Sequence, residues 1–138
     1  MKIKSLAHVC IKTRDLERTR EFYCGLLGFH KAFDFVRADK VIGFYLKANN
    51  DTFIEVFQSD SVAPLHADRG LHHFCLETDS IEQLHRELRD CGYAPGEIIM
   101  GADQTLQFWA QDPSGLDLEF QQYTERSTQF TGADVRVE

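Results

Sequence analysis

Positive charge is in short supply in this chain. Fifteen Lys and Arg stand against 22 Asp and Glu, a net charge of −7. A basic surface for nucleic acid or for anionic lipid is therefore not expected. Long apolar runs are missing too, and nothing approaches the roughly 20 residues needed to span a bilayer. The opening stretch MKIKSLAHVC carries two lysines but no apolar segment ending in a small-residue cleavage site. It does not read as a secretory signal. Cysteine is limited to Cys10, Cys24, Cys75 and Cys91, with no C-x-x-C pair among them. That spacing argues against thiolate-bound zinc and, without a signal, against a disulfide framework. A cytoplasmic protein with reduced thiols is the expectation. The 138 residues, 43% hydrophobic and 27% charged, suffice for one ordinary domain with a sizeable core.

What the chain does have is a duplicated pattern. His8 in SLAHVCIKT and His73 in GLHHFCLET lie 65 positions apart, and Glu55 in TFIEVFQ and Glu119 in LDLEFQQ lie 64 apart. Cys10 with Cys75, Thr13 with Thr78 and Leu16 with Ile81 share the first offset, and Gly28 with Gly92 shares the second. One gap near the end of a helix accounts for the change.

The surrounding residues predict the same element order twice. An alternating run over 5–13 meets Asp15, a good N-cap, and Leu16, Thr19, Tyr23 and Leu26 then recur at helical spacing until Gly25 and Gly28 supply an end signal. Strand-like runs follow at 30–37, 41–48 and 52–58, the last two separated by the turn residues Asn49 to Asp51. Residues 59–70 read as a loop. A strand over 71–78 precedes Ser80-Ile81-Glu82-Gln83, which has the form of a capping box. Ile81, Leu84 and Leu88 make an apolar helical stripe that Gly92 ends. Strand-like runs return at 96–100, 104–111 and 115–122, with a tight Asp112-Pro113-Ser114-Gly115 turn between the last two. Residues 123–138 are polar and aperiodic, and they predict a mobile tail or an arm reaching a partner subunit. The expected class is α+β: two tandem β-α-β-β-β modules, about 4–58 and 70–122, forming a curved mixed sheet around a metal-containing cavity within a single domain, 1–122.

Strand alternation assigns faces. His8, Cys10 and Lys12 share one face, opposite Val9 and Ile11. Phe53, Glu55 and Phe57 oppose Ile54 and Val56. His73, Cys75 and Glu77 oppose Phe74 and Leu76, and Asp117, Glu119 and Gln121 oppose Leu116, Leu118 and Phe120. The aliphatic faces would lie under the helices. The mixed faces would border the cavity, with Phe53 and Phe57 as apolar wall. The repeat selects His73 over His72, and His72, His66, His30 and His85 are read as surface or loop histidines.

Four polar residues inside apolar strands, on matching faces and at one period, suit a cation, because coordination removes the cost of a buried carboxylate. Imidazoles suit Ni, Zn, Co or Fe, and carboxylates accept harder ions as well. Two His and two Glu around a divalent ion make a neutral site. In an octahedron they leave two positions for neighbouring substrate oxygens, where the ion would act as a Lewis acid toward an enolate or enediolate. Glu55 and Glu119 are both candidate bases. Cys10 and Cys75 share the cavity face and read as small fillers. Lys12 and Glu77 read either as specificity residues or as a cross-strand ion pair. One of Phe108 and Trp109 should line the cavity.

The paired modules, with H-V-C-I-K-T-R-D-L at 8–16, F-I-E-V-F at 53–57, G-L-H-H-F-C-L-E-T-D at 70–79 and D-P-S-G-L-D-L-E-F at 112–120, resemble the vicinal oxygen chelate superfamily. Within it the pattern is most similar to bacterial glyoxalase I (lactoylglutathione lyase). The resemblance spans about residues 4–122. It implies His8, Glu55, His73 and Glu119 as metal ligands, and a homodimer whose sites are often built from two chains. It also implies a lyase or isomerase that stabilises an enediolate of a carbonyl or hemithioacetal substrate. With it go Lys12, Phe53, Phe57 and Trp109 as substrate-binding candidates. Bacterial glyoxalases carry an arginine for glutathione where Lys12 stands, so the resemblance implies the metal chemistry and leaves open whether the thiol is glutathione. Two other relatives leave alternatives open: an epimerase of an acyl-thioester, and a metal-free, bleomycin-resistance-like binding protein.

Overall fold

The structure, a computed structural model, describes residues 4–60 and 72–135. The chain divides into two compact units, Met1–Pro64 and Leu65–Glu138. In the first, β1 (His8–Thr13) leads to α1 (Leu16–Arg20), then β2 (His30–Arg37), β3 (Lys40–Lys47) and β4 (Phe53–Gln58). In the second, β5 (Phe74–Glu77) leads to α2 (Ile81–Asp90), then β6 (Ile99–Met100), β7 (Leu106–Gln111), β8 (Asp117–Gln122) and the short α3 (Thr128–Thr131). The sheets run β1-β4-β3-β2 and β5-β8-β7-β6. In both, the first strand of the module pairs in parallel with the last, and the other pairings are antiparallel. The fold is thus α+β, with two mixed four-stranded sheets of one topology. Among the described residues no helix is long and apolar enough to cross a membrane.

Local chemistry explains most of the boundaries. The Asp15 carboxylate accepts from the Arg18 amide at 3.0 Å and caps α1. After Arg20 the helix widens into a π-helical turn, Glu21–Leu26, with Leu27 N–H reaching Phe22 C=O at 2.9 Å. Phe22 and Tyr23, adjacent in sequence, are both buried there. Gly28 and Gly92 follow the helices at φ +79° and +86°, which only glycine adopts without strain. The expected capping box of α2 does not form. Ser80 makes no side-chain cap bond, the Ile81 amide is met instead by Gln122 Oε1 at 2.9 Å, and Gln83 turns along the helix to Glu87. Asp112 holds the last hairpin turn as expected, its carboxylate accepting from the Ser114 and Leu116 amides.

Burial follows the predicted parity. In β4 the buried residues are Ile54 and Val56, and in β8 they are Leu118 and Phe120. Phe22, Tyr23, Phe44 and Leu46 complete the first core, and Ile81, Leu88, Phe108 and Ala110 the second. Each fully buried large side chain contributes roughly 1.5–3 kcal/mol. Phe108 stacks on Phe120 at 4.9 Å, so it belongs to the core.

Residues 123–135 are not a free tail. The buried Thr105 hydroxyl donates to Ser127 Oγ at 3.0 Å, Ser127 Oγ donates to the Gln104 carbonyl, and Gln129 donates to Asp103. The Thr128 amide bonds the Asp103 carbonyl. Hydroxyls and amides at irregular spacing, rather than an apolar stripe, dock this segment on the turn between β6 and β7. That is why periodicity did not reveal it. The predicted loop at 59–70 and His66 lie largely outside the described residues.

Candidate metal and substrate site

The open face of each sheet carries one constellation, set by strand register. In the first unit Tyr45, Glu55 and Cys10 are in register across β3, β4 and β1, and His8 stands opposite Phe53. In the second unit Trp109, Glu119 and Cys75 are in register across β7, β8 and β5. His73 precedes Cys75 by two residues, as His8 precedes Cys10. A ring lies edge-on against each histidine: Tyr45 at 5.9 Å from His8 and Trp109 at 4.5 Å from His73. Tyr45 and Trp109 share the 64-residue offset. Tyr45 escaped the sequence reading, and that offset is the signal that could have found it.

The second unit shows the donor atoms in contact. His73 Nε2 and Glu119 Oε2 are 3.2 Å apart, with the Glu119 side chain only 12% exposed. Two donors on one ion about 2.1 Å away stand roughly 3.0–3.4 Å apart in octahedral or tetrahedral geometry. The pair therefore fits as adjacent ligands, and the same separation lets it close on itself as a hydrogen bond. The other Glu119 oxygen accepts from Gln121 Nε2 at 3.1 Å. His73 Nδ1 meets His72 Nδ1 at 2.9 Å. His72 is exposed and outside the strands, as the sequence suggested, and its ring holds the orientation of His73. His85, by contrast, packs edge-on against Phe108 and bonds the Gly96 carbonyl, a structural role.

In the first unit His8 is exposed and Glu55 half-buried on the same face. Burial, and then the nearby Glu55 carboxylate, raises the Cys10 pKa. Burial, and then Glu119, pushes Cys75 up to about 12. Neither thiol is poised as a nucleophile. Lys12 is exposed and in register with Phe57; Glu77, its counterpart, is exposed and in register with Gln121. Trp109 is half-buried, in register with Glu119 and edge-on to His73, whereas Phe108 is in the core. Among the described residues, no three His, Cys, Asp or Glu side chains are grouped closely enough to hold an ion. Each unit thus carries one His and one Glu of the predicted set.

Residues 5–120 match the family described as the Glyoxalase/Bleomycin resistance protein/Dioxygenase superfamily. The chain belongs to it. A relative named "Probable lactoylglutathione lyase" from Synechocystis sp. is 25% identical over 129 residues, covering 88% of this chain and 97% of that protein. The glyoxalase family protein of Enterococcus faecalis is 25% identical, covering 88% of this chain and 99% of its own, with a TM-score of 0.73. TnmS3, an antibiotic binding protein from Streptomyces sp., is 19% identical and shares the fold at a TM-score of 0.71, covering 90% of this chain and 99% of its own. The family's description itself joins glyoxalases and dioxygenases with a resistance protein.

Proposed function

We propose that the chain is a divalent-metal-dependent lyase or isomerase of the glyoxalase I type, acting as a homodimer on a small carbonyl or hemithioacetal compound. The observation that carries this reading is the duplicated His/aromatic/Glu arrangement, whose second copy holds His73 and Glu119 at ligand spacing. The Synechocystis relative supports it. His8 and Glu55 with His73 and Glu119 would hold Ni, Zn, Co or Fe, from one chain or from two copies. The ion would supply Lewis-acid stabilisation of negative charge developing on two neighbouring substrate oxygens. The residues do the rest. Gln121 donates to one oxygen of Glu119 and orients its carboxylate. A glutamate oxygen, of Glu55 or Glu119, takes the proton from the carbon beside the carbonyl and returns it to the neighbouring carbon. Phe53, Phe57 and Trp109 exclude water around that transfer, and Lys12 faces anionic groups of the substrate at the rim.

The test is metal content by elemental analysis after loading with Ni, Zn, Co or Fe(II) and desalting, followed by turnover of hemithioacetals, acyl-thioesters and hydroxy-carbonyl compounds. About one ion per site, lost in His73→Ala and His8→Ala, with proton exchange at the carbon beside the carbonyl, is expected. A second reading, a metal-free binding protein, draws on the likeness in fold to TnmS3 and on the aromatic face of the first unit. Retention of no ion under any loading would decide for it.

A further inference from the structure

The open face of the first sheet carries more aromatic surface than a metal half-site needs. Phe33 from β2 stacks on Tyr45 from β3 at 4.8 Å and 16°, and Tyr45 stacks on Phe53 from β4 at 5.2 Å and 26°. Beside them Phe35 lies on Phe57 at 4.6 Å. Gly43 makes that second contact possible. Phe35, Gly43 and Phe57 are in register across three strands, and a Cβ at Gly43 would stand 2.7 Å from the Phe57 ring. The two rings close over the gap. Phe33, at the outer end of the stack, is 48% exposed. Glu55 sits inside this surface, in register with Tyr45 and flanked along its own strand by Phe53 and Phe57.

A planar ring gains from an offset stack on another aromatic face, beyond what the buried area supplies. A short alkyl group cannot use that geometry. The stack also has a fixed distance to the chemistry: Phe53 and Phe57 are each two residues from Glu55, about 7 Å along the strand. With a reacting carbon about 3–3.5 Å from the Glu55 carboxylate and the centre of an attached aryl ring about 3–4 Å further on, that ring falls beside Phe53 or Phe57. We infer that the Phe33–Tyr45–Phe53 stack binds a planar aromatic or conjugated group attached to the reacting carbonyl carbon, so that the substrates are aryl rather than small alkyl carbonyl compounds. The inference rests on the reading of Glu55 as part of the reaction centre.

Metal-loaded full-length protein would be assayed on the hemithioacetals of phenylglyoxal and methylglyoxal formed with the same thiol, in wild type, Phe33→Ala and Phe53→Leu. Phe33 is exposed, so its substitution spares the core, and Phe53→Leu keeps apolar bulk while removing the ring. The wild type is expected to favour the phenyl compound in kcat/KM. Each variant should lower the phenyl-to-methyl ratio about tenfold, with bound metal per chain retained. An equal ratio in all three proteins overturns the inference.

If neither compound is turned over, the proposed reaction fails on its own account. Saturation-transfer NMR with benzoylformate and pyruvate then decides the stack. Stronger transfer to the phenyl ring than to the methyl group, lost in Phe33→Ala, supports it, and equal transfer sinks it. Sedimentation of the same variants covers the remaining occupant. A dimer that dissociates on Phe33→Ala with ligand contacts unchanged would show that a second copy, not a ligand, lies on the stack, and would also overturn the inference.

Discussion

The two units share one topology and one register, yet their open faces are opposites in chemistry. At the positions flanking each glutamate, the first unit carries Phe53 and Phe57 and the second carries Asp117 and Gln121. Gly43 in the first corresponds to Gln107 in the second, and Lys12 to Glu77. The buried faces show no such divergence: Ile54 and Val56 correspond to Leu118 and Phe120, all apolar. The scaffold side is constrained by packing, where a changed volume costs stability, and the open side is free to differ. Consequently Glu119 is held by an amide, whereas the residues flanking Glu55 along its strand, Phe53 and Phe57, offer it no donor. One unit is specialised for a fixed carboxylate, the other for an apolar contact surface.

The comparison predicts unequal consequences for equivalent substitutions. The largest belongs to the residues the units have in common. Glu119→Ala and Glu55→Ala should each remove bound metal and lower turnover about a thousandfold or more. An effect confined to Glu119 would leave the first unit with a binding role only. Next comes Gly43→Ala. The added Cβ would stand 2.3 Å from the Val56 carbonyl oxygen, which should cost about 1–3 kcal/mol and lower Tm by several degrees. Gln107→Ala, at the equivalent place, should change Tm far less; equal losses by calorimetry would refute the assignment of Gly43 to ring packing. Third, Gln121→Leu removes the donor on Glu119 and should weaken metal binding about tenfold, measured by competition with a chromogenic chelator. Phe57→Gln, which offers Glu55 an amide at the position equivalent to Gln121, should act in the opposite direction.

The smallest effect concerns Cys75. With its thiol raised to about 12, almost no thiolate exists at pH 8 in metal-free protein, and iodoacetamide should label it only slowly until the chain unfolds. A group whose folded pKa is raised holds its proton more tightly in the native state. Its contribution to stability is therefore complete below the unfolded thiol's ordinary pKa and is lost as pH rises toward 12. Rapid native labelling, read from peptide masses, would contradict the raised pKa of that thiol.

Period and parity carry a great deal when a unit is repeated. The 65- and 64-residue offsets revealed the two modules, and alternation assigned Glu55, Glu119, Phe53 and Phe57 to the open face and Ile54, Val56, Leu118 and Phe120 to the core. Three things were not legible. The stack of Phe33 on Tyr45 depends on a register shift between Lys31 and Phe33, which no local pattern announces. The cap of α2 comes from Gln122, 41 residues away, and displaced the local capping box. The docking of residues 123–135 rests on hydroxyl and amide bonds, which have no period. Each miss is a long-range polar contact or a registration detail settled by tertiary structure, whereas the hits were apolar and periodic.

The parallel pairing of each module's first strand with its last has a consequence for biogenesis. β1 leaves the ribosome first but cannot find its neighbour until β4, some 45 residues later, has been made; β5 waits likewise for β8. Such distant pairings form slowly and late. His8 and Glu55 sit on β1 and β4, and His73 and Glu119 just before β5 and on β8, so each pair comes together only when its module closes. A half-made module would offer a cation scattered donors, and tight metal uptake would report completed synthesis and folding in a single step.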